Sequence, residues 1–64
     1  MAWYLRAVQL EDGRWSCRHG LHEFDLHHDL AECIKHLRLV AESIGPSEFF
    51  MHPYGAEVSR IGDP

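Results

Sequence analysis

Cysteine is scarce in this 64-residue chain: Cys17 and Cys33 are its two examples, too few for the disulfide framework of a small secreted domain. Basic residues are scarce as well. Six Lys and Arg against ten Asp and Glu leave a formal charge of -4, which repels phosphate backbones over most of the surface and argues against nucleic acid as a partner. No run of 18 apolar residues occurs, so no membrane-spanning helix is expected. The opening Met1-Ala2-Trp3-Tyr4-Leu5-Arg6 has neither the basic region nor the long apolar stretch of a secretory signal, and a cytoplasmic location with reduced thiols is the resulting expectation. Low-complexity tracts and repeats are missing too, and 45% hydrophobic with 11% aromatic residues is the composition of a globular chain. A chain this short hides only about 60% of the surface that it exposes when unfolded, which leaves little room for a catalytic cleft and a few kcal/mol of stability at most.

What is present specifies one α+β domain over residues 1–64. Trp3 to Leu10 is aromatic and branched and ends at Asp12-Gly13, the composition of a tight hairpin turn, so a second strand over Arg14 to His19 pairs with it. That strand alternates, with Trp15, Cys17 and His19 on one face and Ser16 and Arg18 on a wet one. Gly20 permits another reversal into a third strand, in which His22, Phe24 and Leu26 share one face and Glu23 and Asp25 the other. Asp29 and Glu32 have the spacing of a capping box and start a helix. Leu30, Cys33, Ile34, Leu37, Val40, Ala41 and Ile44 form its apolar stripe, and Gly45-Pro46 ends it. Glu48 to His52 and Glu57 to Ile61 read as two more strands about a Pro53-Tyr54-Gly55-Ala56 turn. The expected architecture is an antiparallel sheet of four to five strands with one helix packed on one face, in the order βββαββ.

Six histidines invite a metal reading, with His19, His22, His27, His28 and His52 as possible companions of Cys17. The spacing Cys17-x-His19-x-x-His22 matches no usual ligand pair and no second pair follows, so no metal and no cofactor is expected. His27 and His28, beside Asp25 and Asp29, read as solvated residues loosely paired with those carboxylates. Cys33 belongs to the helix stripe and reads as a small hydrophobe. Cys17 could meet His19 two residues along, but nothing supplies a third orienting group, and no enzyme is expected. A disulfide between the cysteines is not expected either, since packed layers lie about 10 Å apart and bridged Cα atoms within about 7 Å.

The order hairpin, strand, helix, hairpin, with Asp12-Gly13-Arg14-Trp15 at the first turn, resembles small bacterial domains of unknown function common in actinobacteria. The likeness spans most of the chain: Trp15, Phe24, Asp29, Ala41, His52 and Gly55 stand where those domains carry equivalent residues. It implies the fold and lends no activity, and Tyr54 departs from the charged residue usual beside the last glycine. The layout of two or three strands before one helix is also similar to HicB-type antitoxins, which would imply a small protein toxin as partner, although the glycine and proline pattern before their helix is absent here.

Both faces of the first and fourth strands carry apolar side chains, more than one helix can cover. The expected function is therefore a non-catalytic protein-interaction module that forms a homodimer through Tyr4, Val8 or Phe50, with Leu39, outermost on the helix, as a further candidate contact. An antitoxin-like regulator and a metal-stabilised domain are the alternatives.

Overall fold

Chain reversal after chain reversal lays five strands side by side before and after one helix. The computed structural model describes residues 2–62, within which the strands are β1 (Trp3–Gln9), β2 (Trp15–His19), β3 (His22–His27), β4 (Ser47–His52) and β5 (Ser59–Ile61), and the helix is α1 (Leu30–Ile44). They form one sheet in the order β3-β2-β1-β4-β5, so the expected βββαββ fold is observed. The first turn differs in detail from a two-residue hairpin. Glu11, Asp12 and Gly13 make a three-residue loop closed by Gly13 N–H donating to the Leu10 carbonyl at 2.9 Å, and only Gly13, at φ +95°, has a positive φ there. Asp12 secures it by accepting from the Arg14 backbone N–H at 3.0 Å and from Arg14 Nε at 2.8 Å.

Pairing is antiparallel except at the centre, where β4 lies parallel to β1 with Leu5 beside Phe49 and Ala7 beside Met51. The reason is the helix. Antiparallel steps make β3 run in the direction of β1, and 15 residues of helix, about 22 Å long, carry the chain back along the sheet so that the next strand repeats that direction. The last strand is shorter than the Glu57 to Ile61 expected, because only Ser59 to Ile61 find partners on β4.

Helix α1 starts and stops where its side chains dictate. Asp29 Oδ1 accepts from Glu32 N–H at 2.9 Å, and Gly45, at φ +97°, donates to the Ala41 carbonyl at 3.1 Å. Its stripe meets the sheet through Cys33 and Leu37, both fully buried, with Leu30, Val40, Ala41 and Ile44 half-covered around them. The core is completed by Leu5 and Ala7 of β1, Trp15 and Cys17 of β2 and Phe49 of β4. Burying one such leucine contributes roughly 1.5 to 3 kcal/mol, a large share of what a domain this small can hold.

The uncovered face of the sheet is more polar than the sequence suggests. Arg6 and Arg18 stand opposite each other at its centre, with Tyr4, Val8, Phe50 and His52 around them. Ser16 was expected to be wet and is fully buried there instead. Its hydroxyl donates to Glu23 and accepts from Arg18 Nε at 3.0 Å, and those two side chains close over it. His52 is half-buried on this face, and burial, then the charges of Arg6 and Arg18, hold its pKa below the ordinary histidine value.

Two predictions follow from these contacts. Leu37→Ala should cost about 2 to 5 kcal/mol, enough to leave most of the chain unfolded in a urea titration; an unshifted, cooperative transition contradicts the core assignment. His52 is harder to protonate folded than unfolded, so its contribution to stability is whole above about pH 6.5 and is lost as pH falls below that value. The urea midpoint should drop from pH 7 to pH 5, and His52→Gln should drop less over the same interval; an equal fall in both contradicts it.

Candidate metal centre

The sheet does not keep simple alternation along β3. A bulge between Cys17 and Arg18 shifts the register, so that Cys17 faces Asp25 and Trp15 faces His27. Asp25 and His27 therefore share the helix side of the sheet with Cys17, and Leu26, paired with Ser16, turns to the open face. This separates Asp25 from Glu23 and Leu26 from Phe24, which alternation puts on shared faces, because the inserted residue moves every later side chain of the strand to the opposite face.

The shift brings three elements to one point. Cys17 comes from the middle of β2, His27 from the last residue of β3, and His36 from α1, one turn beyond Cys33. One ligating atom from each of Cys17, His27 and His36 lies within 4.8 Å of the other two. Asp25 lies outside that group but against its two histidines: its Oδ2 is 3.1 Å from His27 Nε2 and 2.9 Å from His36 Nδ1, and those two nitrogens are 3.2 Å apart. Its second oxygen, Oδ1, accepts from the Leu26 backbone N–H at 2.8 Å, which fixes the carboxylate's orientation. The edge of Phe24 against the His36 ring, 5.2 Å between centroids, fixes that imidazole in turn.

Asp25 Oδ2 has two lone pairs and can accept from both imidazoles at once, and the same three atoms can instead face a cation. A cation at the centre turns all three atoms into ligands, and the edges of 2.9 to 3.2 Å come close to the about 3.3 Å that tetrahedral zinc with 2.0 to 2.1 Å bonds imposes. Cys17, with no exposed surface, lies at the inner end, and Asp25, His27 and His36, half-exposed, lead out to solvent. The Leu26 N–H, then the nearby His27 and His36, hold the Asp25 carboxyl below its usual range, whereas burial, then the hydrogen bond that Cys17 donates to Cys33, pushes the Cys17 thiol far up. Without a cation Cys17 is thus a neutral thiol, and only a positive charge beside it would make it a thiolate.

Other residues singled out in the sequence fall elsewhere. His19 does not approach Cys17; its ring packs edge-on against Trp3 with centroids 4.9 Å apart. His22 pairs with His19 at the far end of β2, and His52 lies on the open face. Cys17 and Cys33, expected to sit too far apart, meet with sulfurs 2.7 Å from each other, because both side chains point into the gap between the layers. No metal was expected here; His27, expected to pair with Asp25, does so at 3.1 Å from a half-buried position, and His36 of the helix stands beside both. The signal available for it was Cys33-x-x-His36, two ligand types one turn apart.

Of the candidate interface residues, Tyr4 and Phe50 meet on the open face with ring centroids 5.7 Å apart, and Val8 lies further along the same face. Leu39, 58% exposed, lies on the far side of α1 and cannot share a surface with them. Among the described residues no helix is long and apolar enough to cross a membrane. No protein-family model, no curated protein and no solved structure matches the chain.

Proposed function

We propose that this chain is a non-catalytic interaction domain whose fold is held by one zinc ion, bound by Cys17, His27 and His36 with Asp25 as the fourth ligand. The observation that carries the reading is the convergence of Cys17, His27 and His36, ligand atoms from three elements within 4.8 Å of one another, with Asp25 Oδ2 against both imidazoles. Four protein ligands leave no open position for water or substrate, the arrangement of a structural site rather than a catalytic one. The benefit is largest in a small domain. A metal bound by the folded chain and not by the unfolded one adds its binding free energy to a core that has little to spare. Mixed nitrogen, oxygen and sulfur ligands at these spacings suit zinc and do not suit calcium or magnesium, which take oxygen.

Elemental analysis of tag-free protein purified without chelator should find one zinc per chain, and chelation should lower the thermal midpoint by several degrees. His36→Ala should remove both the zinc and the chelator effect; the same zinc content in that variant contradicts the assignment.

Homodimer formation through the open face is a second reading, favoured by Tyr4 and Phe50 standing in contact on a face that no element of the described residues covers. Tyr4 also borders an open depression of about 420 Å³ lined with Ala2, Trp3, His19 and Gly20. Sedimentation over a range of micromolar concentrations should give a mass above 7.4 kDa that falls on dilution and in Phe50→Glu. A monomer mass at every concentration contradicts the dimer.

A further inference from the structure

Cys17 stands between two partners that cannot hold it together. Its Sγ belongs with His27 and His36 to the ligand set, and it touches Cys33 Sγ at 2.7 Å, where the side chain of β2 meets that of α1. Two thiolates on one tetrahedral zinc are kept about 3.7 Å apart by bonds of 2.3 Å. The two sulfurs are closer than that, and Cys33 is not among the residues whose ligand atoms converge with those of His27 and His36, so it is left outside the coordination sphere yet in contact with one of its members. Among the described residues no other thiol competes for either sulfur.

We propose that Cys33 is the resolving thiol of a redox switch, so that oxidation joins Cys17 to Cys33 and releases the metal. The inference rests on the metal reading above and names the regulation of that same site. The oxidant is a peroxide, and with hydrogen peroxide the steps balance. Cys17 Sγ attacks one peroxide oxygen, the O–O bond breaks, and the departing hydroxide takes up a proton and leaves as water. Cys33 Sγ then attacks the sulfur of the resulting Cys17 sulfenic acid; the S–S bond forms, the S–O bond breaks, and the hydroxide leaves as a second water with the Cys33 proton. Two thiols lose two electrons and the peroxide becomes two waters. When Cys17 starts as a metal-bound thiolate, one proton comes from solvent and the metal leaves with its charge. Both cysteines are fully buried, which is why the oxidant is a small one, hydrogen peroxide. A thiol reductant reverses the step, so the same chain can take the metal up again.

The test uses zinc-loaded protein, unsubstituted and with Cys33→Ser, Cys33→Ala or Cys17→Ser, treated with equimolar hydrogen peroxide. Intact mass and zinc release to a colorimetric chelator are followed, and circular dichroism confirms that each variant is folded. The unsubstituted chain should lose the mass of two hydrogens as it releases zinc, with its zinc affinity falling about a hundredfold or more, and a dithiol should restore both. The Cys33 variants should bind zinc as the unsubstituted chain does but gain oxygen instead of forming the bridge, and Cys17→Ser should bind zinc weakly from the start. Folded Cys33 variants that lose zinc would make Cys33 a ligand and overturn the switch, as would zinc release with no bridge, or a bridge with zinc retained. Failure of the reduced chain to take up zinc at all removes the metal reading and the switch with it, a result separate from any of these.

Discussion

The structure depends on the seating of one helix stripe. Cys33 and Leu37 of α1 rest on Leu5, Ala7 and Cys17 in the middle of the sheet, and every other apolar contact is arranged around that centre. The helix touches only one face of the sheet, so side chains of the helix side are sorted by their distance from the stripe. Leu5 and Ala7 are fully covered, Trp3 at the end of the same strand is half-exposed, and the residues of β3 lie at the margin. The candidate metal centre belongs to that margin, where the core gives way to water and polar side chains can turn inward without being stranded.

A margin of this kind is where a small domain is weakest. The edge strand β3 has a neighbour on one side only, and its residues Glu23, Phe24 and Asp25 are not deeply buried. A cation bridging β2, β3 and α1 would tie the edge strand, the strand beside it and the helix to one point, adding to the partly buried contacts of Phe24 and Leu30 there. The proposal that the ion is structural follows from this geometry, as does the view that its loss would loosen the β3 edge before it disturbs Leu37.

The helix was legible in the sequence because its signals are local: Asp29, the Cys33 and Leu37 stripe, and Gly45 each act within one turn of where they stand. The order of elements was legible for the same reason. The ligand set was not, and the cause is the bulge at Cys17 and Arg18. Side-chain alternation places Asp25 with Glu23, and nothing in the sequence marks the extra residue that separates them and turns Asp25 toward the helix. His36 was hidden differently. At about 100° from Leu37 around the helix it belongs to neither the apolar stripe nor the outer face, and its role depends on the β3 side chains it meets. The parallel pairing of β1 with β4 comes from where a helix of this length delivers the chain, a long-range property that strand patterns do not carry.

The coordination sphere can be read directly by zinc K-edge X-ray absorption on the reduced, metal-loaded chain. The account predicts one sulfur at about 2.3 Å and three nitrogen or oxygen ligands at about 2.0 to 2.1 Å. Two sulfurs in the first shell, or none, would contradict it.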